Sequence, residues 1–295
     1  MSNVSSNKKL PEGKYLDLSA GMKIHYHDFV KEGHDLGSGH PVLFLQGSGG
    51  GASGWSNFQF NVPAFVEAGY RALVIDLPGY GYSGKPTDAL YTLDYFIGYV
   101  NEFLEKIGVS KLTLLGNSLG GAIAIGFALK YPQKVSNLIL MSPGGIENKA
   151  DYFTMPAMSI MKEVFVGGAN SRDSFAQFIK KALVFDASIV TDELIDQRWE
   201  VFQLQNDQVI KTMDVPNMAD RLGEINVPAL VLWGIDDKLM PETGVMKLAK
   251  GLKDYEMLVI PKCGHWFMIE HTRLFNRTCL NFLNDRIALN DRIAK

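Results

Sequence analysis

Short, almost entirely apolar runs alternate with amphipathic stretches along most of the chain. The runs of six or seven residues are PVLFLQ at 41–46, RALVIDL at 71–77, KLTLLGN at 111–117, NLILMS at 137–142, PALVLWG at 228–234 and YEMLVIP at 255–261. Such runs are typical of strands buried on both faces. Helical patterns, such as those at 93–108 and 120–132, lie between most of them. This alternation predicts an α/β fold in which a mostly parallel sheet carries helices on both faces.

The pattern differs at the start and in the middle of the chain. Residues 14–29, KYLDLSAGMKIHYHDF, predict two antiparallel strands joined at Ala20–Gly21, which brings the sheet to eight strands. Between about 143 and 220 the pattern is helical and predicts no strand. We therefore predict a first part of the α/β core at 1–142, a helical cap insertion at 143–220, and a second part of the core at 221–295.

Composition and charge exclude several classes of function. The chain has 295 residues and a net charge of −3, so no basic surface favours nucleic acid. No apolar run is long enough to span a membrane, and the polar residues 1–14 lack the apolar core of a secretory signal. Cys263 and Cys279 form neither a disulfide framework nor a zinc pattern. We interpret them as reduced thiols of a cytoplasmic protein.

The strongest chemical signal is Gly116-Asn117-Ser118-Leu119-Gly120, between an apolar strand and an apolar helix. In this context, G-x-S-x-G is the nucleophile elbow, which exposes its serine at the carboxyl end of a sheet. Flanking glycines allow the sharp turn and the close packing of strand and helix. A tight turn with a capping serine is the alternative, but both flanks favour the elbow.

A serine nucleophile needs a base and an acid that orients the base, in the chain order serine, acid, histidine. His265 directly follows the last predicted strand, whereas His271 lies six residues further on, where a helix begins. The preceding strand is followed by Asp236 and Asp237. We favour Asp237 and His265, although the residues alone barely separate the two aspartates.

The glycine loop, residues 47–52, has the sequence GSGGGA and matches the dinucleotide pattern G-x-G-x-x-A. No helix begins there at once, and no acidic residue follows a strand until Asp76. A phosphate loop would need a Lys-Ser or Lys-Thr pair, which does not follow. The loop is better explained as bare backbone that offers N–H groups to an oxyanion, with a second donor at the Leu119 N–H.

Other candidates are weaker. His25 and His27 share one face of a hairpin strand, but no third ligand lies nearby. We therefore interpret both as surface residues and predict no metal. Arg198 is a lone arginine on an insertion helix, and its acidic neighbours make an ordinary solvated charge the simplest interpretation.

Seven segments together are more specific than any one of them. They are GSGGGASGWSNF, DLPGYGYS, GNSLGGAIAIGFALKYP, LMSPGG, TDELIDQRWE, WGIDDKLMP and CGHWFMIEHTRLFN. From about Lys23 to Leu283 the chain resembles the meta-cleavage product hydrolases of aromatic degradation. These are carbon–carbon bond hydrolases of the α/β-hydrolase superfamily.

The resemblance implies the α/β-hydrolase fold, no cofactor, and a triad of Ser118, Asp237 and His265, which decides between the two aspartates. It implies an oxyanion hole formed by the backbone N–H groups of Ser48 and Leu119. The residues it assigns to a polar subsite for the carboxylate end of a dienoate are Asn57, Asn117, Arg198 and Trp266. The loop residues Gly47 and Gly49 are expected to contact substrate. The composition of the insertion predicts an apolar acyl-side pocket formed by Met155, Met158, Met161, Phe178, Leu183, Val184 and Phe185.

The implied activity is hydrolysis of a 2-hydroxy-6-oxohexa-2,4-dienoate, a small molecule, by a protein that can form homodimers or larger homo-oligomers. Two loop residues depart from the family: Gln46 stands where a histidine is usual, and Gly50 where a proline is usual. A glutamine can brace the loop but cannot titrate, and a glycine makes it more flexible. A carboxylesterase with the same triad is therefore an alternative, and a non-catalytic receptor of the same fold is a third.

Overall fold

The computed structural model of the protein describes residues 10–164 and 171–293, with side chains through residue 286. Its strands are β1 (Lys14–Asp17), β2 (Lys23–Phe29), β3 (Pro41–Leu45), β4 (Arg71–Ile75), β5 (Leu112–Asn117), β6 (Val135–Met141), β7 (Ala229–Gly234) and β8 (Tyr255–Ile260). They form one sheet in the order β1-β2-β4-β3-β5-β6-β7-β8. β2 is antiparallel to β1 and β4, and all other pairs are parallel. The eight predicted strands and the mostly parallel sheet are confirmed.

Helices of the core cover both faces of this sheet. The α-helices of the described residues, including those of the insertion, are α1 (Gly54–Phe58), α2 (Val62–Glu67), α3 (Leu93–Lys106), α4 (Leu119–Lys130), α5 (Lys149–Phe153), α6 (Pro156–Val164), α7 (Arg172–Phe178), α8 (Asp192–Gln203), α9 (Gln208–Thr212), α10 (Thr243–Gly251), α11 (Phe267–Glu270) and α12 (Thr272–Ile293). Side chains alternate along β3: Leu43 and Leu45 pack in the core with α3 and α4, whereas Val42 and Phe44 pack in the core with α1, α2 and α12. The strand is therefore buried on both faces, as its apolar run predicts.

The described residues between β6 and β7 are helical and contain no strand. They carry α5 to α9, and α7 continues into a single π-helical turn at Ile179–Leu183. Phe175 and Leu194 from this insertion share an apolar cluster with Phe267 of the core. The insertion therefore packs directly on the carboxyl edge of the sheet. Its treatment as a separate cap with bounds at 143 and 220 stays a prediction.

None of the described helices combines the length and the apolar composition that a membrane crossing requires.

Candidate active site

Ser118 lies at the junction of β5 and α4, in a backbone conformation that few residues adopt. Its φ is 55° and its ψ is −116°, and its side chain is almost fully buried. A Cβ at Gly116 would clash with the carbonyl oxygen of Gly120, and a Cβ at Gly120 would clash with that of Leu45. Only glycine at both positions lets the helix approach the strand this closely, and this close packing holds the strained serine backbone in place.

His265 and Asp237 form a buried pair at the same edge of the sheet. The Nδ1 of His265 lies 2.7 Å from Oδ2 of Asp237. The other carboxylate oxygen of Asp237 accepts from the N–H groups of Leu239 and Met240, at 2.8 and 3.0 Å. These bonds fix the carboxylate, and the carboxylate in turn fixes the imidazole through Nδ1, while no hydrogen bond of the described residues engages Nε2.

The neighbouring acid, Asp236, and the other histidine, His271, contact the turn at Lys262 instead. Asp236 accepts from the Lys262 N–H at 2.8 Å, and so stabilises a turn whose Lys262 has a φ of 55°. His271 contacts the Lys262 carbonyl at 3.0 Å. Among the hydrogen bonds of the described residues, none joins the Ser118 hydroxyl to His265. Such contacts commonly tighten only when substrate is bound.

The glycine loop runs directly over Ser118. A Cβ at Gly47 would lie 3.2 Å from the Ser118 Cβ, so only a bare backbone fits there without displacing a neighbour. Gly51 has a φ of 69°, and a Cβ there would clash with the Arg198 carbonyl. Gly50 packs against the Phe202 ring, and Gly49 faces open space. The loop is therefore wedged between the serine and helix α8 of the insertion.

Gln46 and Tyr80 make buried contacts at the amino-terminal end of this loop. The buried Gln46 amide, oriented with its nitrogen toward the Ile75 carbonyl, donates to it at 2.8 Å and accepts from the Leu77 N–H at 3.0 Å. Burial raises the pKa of Tyr80, and a hydrogen bond from the Ser48 side chain opposes that rise. Gln46 thus braces the end of β4, and Tyr80 contacts Ser48 from beneath.

Arg198 is the most unusual charge in the site. Its side chain is 1% exposed, and its Nη2 donates to the Ser56 carbonyl at 2.9 Å and to the Asn57 Oδ1 at 3.0 Å. The guanidinium lies 4.0 Å from the centre of the Trp266 ring. Its Nε has no partner, and no acidic side chain of the described residues pairs with it. Burial alone lowers the pKa of Arg198 to about 9.

The structure therefore brings together Arg198, Asn57 and Trp266. The interpretation of Arg198 as a solvated helix charge is wrong, because the insertion packs α8 onto the glycine loop. The Asn117 side chain donates to the Met141 carbonyl at 3.3 Å, and its Oδ1 would lie 3.0 Å from a Cβ at Gly47, so its place in the subsite stays a prediction.

A cavity of about 240 Å³ opens beside Ser118. The described residues that line it are Ser48, Ser118, Leu119, Ala122, Gly144, Gly145, Lys149, Tyr152, Phe153, Met158, Met213, Val215, Leu239 and Met240. Most of its wall is apolar, and Lys149 is the only charged residue among them. Both residues expected to donate to an oxyanion line this cavity together with the serine.

The predicted acyl-side residues are only partly found there. Met158 lines the cavity. Leu183 is not among the lining residues, and its carbonyl accepts from the Trp266 N–H at 3.2 Å. Met161 and Phe185 are exposed. The sequence prediction does not include the lining residues Lys149 and Tyr152, because composition does not show which side of a short helix faces the cavity.

The interpretation of His25 and His27 as surface residues is wrong. They are 4% and 2% exposed, because the rings of Tyr15 and Tyr82 pack on His25 and those of Phe29 and Trp55 pack on His27. His25 Nδ1 lies 2.8 Å from Oδ2 of Asp76. Burial, followed by the neighbouring His25, lowers the pKa of His27. The described residues contain no cluster of three histidine, cysteine or acidic side chains that could hold a metal ion.

Comparison with known proteins gives a consistent picture. A family described as the alpha/beta hydrolase fold matches residues 40–187 and 196–272. A 2-hydroxy-6-oxononadienedioate/2-hydroxy-6-oxononatrienedioate hydrolase of Comamonas testosteroni is 38% identical over 85% of this chain and 90% of its own length. A 2-hydroxy-6-oxo-6-phenylhexa-2,4-dienoate hydrolase of Burkholderia cepacia is 37% identical over the same shares. The structure of a meta-cleavage product hydrolase from Pseudomonas fluorescens IP01 superposes with a TM-score of 0.77 at 25% identity, covering 92% of this chain and 98% of that one.

Proposed function

The chain belongs to the α/β hydrolases and, among them, to the meta-cleavage product hydrolases, and we propose that it hydrolyses a carbon–carbon bond of a 2-hydroxy-6-oxohexa-2,4-dienoate. The observation that carries this proposal is Arg198, a buried guanidinium with a free Nε and no acidic partner among the described residues. A buried charge without a counter-ion is costly. The carboxylate of a dienoate supplies that counter-ion in the bidentate geometry that arginine favours.

The proposed roles of the remaining groups follow from their positions. His265, oriented by Asp237, handles the proton during ketonisation of the dienol and then activates Ser118. Ser118 attacks the exposed C6 carbonyl, and the N–H groups of Ser48 and Leu119 stabilise the oxyanion. The C5–C6 bond then breaks with its electron pair moving onto the leaving fragment, which takes the proton that His265 accepted from Ser118 and departs as a 2-hydroxypentadienoate, leaving an acyl-serine. His265 next takes a proton from water, which attacks the acyl-serine and releases the carboxylic acid.

The orientation of the substrate is also part of the proposal. The cavity of about 240 Å³ contains Ser118 and both proposed oxyanion residues, whereas Arg198 is not among its lining residues. We therefore place the carboxylate end at Arg198 and the acyl group in this cavity. At the cavity, Lys149 has an exposed side chain, and its Nζ is 3.9 Å from Oδ1 of Asp214. An acyl group that ends in a carboxylate would gain a weak attraction there, about 1 kcal/mol or less.

The decisive experiment compares two substrates, with Ser118→Ala as the blank. One is 2-hydroxy-6-oxo-6-phenylhexa-2,4-dienoate, followed by loss of its visible absorbance, and the other is a p-nitrophenyl ester. Faster turnover of the dienoate supports the proposal. Fast ester cleavage with an inert dienoate would instead establish a carboxylesterase.

The carboxylate role of Arg198 has its own control. Arg198→Ala is expected to raise KM for the dienoate by about 10- to 100-fold, because a charged hydrogen-bonded contact is lost. Its effect on a neutral ester should be small. Equal losses on both substrates would contradict the assignment.

Assembly as a homo-oligomer and a cytoplasmic location stay predictions.

A further inference from the structure

Glu270, the last residue of α11, accepts three backbone hydrogen bonds from two separate parts of the chain. Its Oε1 accepts from the N–H groups of Phe185 and Asp186 in the insertion, at 2.8 and 3.0 Å. Its Oε2 accepts from the Gly264 N–H at 2.6 Å, directly before His265. One carboxylate thus ties the insertion to the segment that carries the proposed base.

The same two segments are also in direct backbone contact. The Trp266 N–H donates to the Leu183 carbonyl at 3.2 Å. A Cβ at Gly264 would lie only 2.9 Å from the Leu183 oxygen and from backbone atoms of Val184. Glycine at 264 therefore lets the two chains pack backbone against backbone. Glu270 caps this junction with both of its oxygens, so its removal would take away the one acceptor that the N–H groups of Phe185, Asp186 and Gly264 share.

We infer that Glu270 is a positioning residue for the reaction, because its carboxylate clamps residues 185–186 of the insertion and Gly264 together and so fixes the position of His265. This inference rests on the proposed roles of Ser118 and His265. Glu270 touches neither of their side chains in the described hydrogen bonds, and it acts through the backbone alone. An ionised carboxylate suits the task, because both oxygens must accept at once. The amide of a glutamine has one accepting oxygen and turns a donor toward the remaining N–H.

The test measures the rate at which a fluorophosphonate labels Ser118, a reaction that needs the activated serine and no dienoate. Glu270→Gln is expected to slow labelling about 10-fold, and Glu270→Ala by up to about 100-fold, the loss typical of a displacement of about 1 Å in a catalytic group. With a dienoate substrate the loss should appear in kcat more than in KM, because Arg198 itself is held by Ser56 and Asn57, which Glu270 does not contact in the described hydrogen bonds.

Hydrogen exchange gives a readout that does not depend on turnover. The amides of Phe185, Asp186 and Gly264 should lose protection together in Glu270→Gln, although Gly264 lies almost 80 residues after the other two along the chain. Glu147→Gln is the matched control. Glu147 is a buried carboxylate that accepts from Thr243 and pairs with Lys247. The Glu147→Gln substitution should lower Tm but leave the labelling rate of Ser118 and the exchange protection of the three amides unchanged.

The outcomes separate cleanly. Labelling of Glu270→Gln at the wild-type rate, with wild-type protein readily labelled, would overturn the positioning role and leave the proposed function standing. Wild-type protein that is not labelled at all would overturn both. If Glu270→Ala fails to fold, Glu270→Gln and the exchange of the three amides still decide the question.

Discussion

Among the described residues, two histidine–aspartate pairs have nearly equal Nδ1–Oδ2 distances, and only one is proposed to take part in catalysis. The Nδ1–Oδ2 distance is 2.7 Å between His265 and Asp237, and 2.8 Å between His25 and Asp76. All four residues are buried. The difference is in what lies around the ring. His265 follows β8 at the carboxyl ends of the parallel strands, where Ser118 also lies. His25 lies within β2, which β4 and β3 separate from β5 and Ser118.

The surroundings of the second pair explain its role. The His25 ring packs against the rings of Tyr15, His27 and Tyr82, with centroids 4.9 to 5.1 Å apart. Asp76 also accepts from the N–H groups of Gly54 and Tyr82, at 2.7 and 2.8 Å. This pair holds chain segments together. A short hydrogen bond between histidine and aspartate therefore does not identify a catalytic base, and the position of a nucleophile has to be added.

The largest expected difference between the pairs is in turnover. His265→Ala should lower kcat by about 10⁶-fold, because the serine loses its base. His25→Ala should leave kcat within about threefold of the wild type, since His25 does not face Ser118. Steady-state kinetics on both variants, checked for folding by circular dichroism, makes the comparison. A comparable loss of kcat in both would mean that the two pairs do not differ in function.

The next largest difference should separate the two adjacent aspartates. Asp237→Asn is expected to lower kcat by about 10⁴-fold, because an amide favours the wrong tautomer of His265. Asp236→Asn keeps an oxygen that can accept from Lys262 and should retain most of the activity. Ester hydrolysis by both variants is the measurement. Activity that survives in Asp237→Asn but not in Asp236→Asn would reverse the assignment.

Local patterns were sufficient to predict the elbow but not the surroundings of the pairs. Gly116 and Gly120 lie within two residues of Ser118, so strand, turn and helix can be read from one short segment. The choice between Asp236 and Asp237 depends on where the segment with Lys262 and His265 lies after β8. The residues next to the two aspartates do not determine that position.

For the same reason, local patterns do not predict that Arg198 and His25 are buried. Arg198 is buried because α8 packs on Asn57, 141 positions earlier in the chain. His25 is buried because the rings of Tyr15 and Tyr82 pack on it and Gly13 lies at the end of its ring, contacts that the alternation of strand residues does not reveal. In both cases a distant segment supplies the cover.

Stability should reveal the second pair where turnover does not. His25→Ala leaves the buried Asp76 carboxylate without its histidine partner and is expected to lower the free energy of unfolding by about 3 kcal/mol. Urea unfolding of this variant and of His265→Ala measures the effect. If His25→Ala is as stable as the wild type, the pair does not hold the fold together.

The smallest effect is expected from the chain that covers His25. A Cβ at Gly13 would clash with the end of the His25 ring, and Asp76 prevents the ring from moving aside. Gly13→Ala should therefore cost about 1 kcal/mol of stability and leave kcat unchanged. Gly37→Ala, where a Cβ would meet nothing within 4 Å, is the matched control for thermal unfolding. Equal Tm values for the two would show that the ring can shift freely.

The backbone of Ser118 has a consequence for how this protein can evolve. A non-glycine residue held at φ 55° and ψ −116° costs on the order of 1–3 kcal/mol. Glycine adopts such conformations without that cost, so Ser118→Gly should unfold at a higher temperature than the wild type while losing its activity. A directed-evolution screen that rewards heat resistance alone should therefore discard the serine early. Only a screen that also demands turnover would keep it.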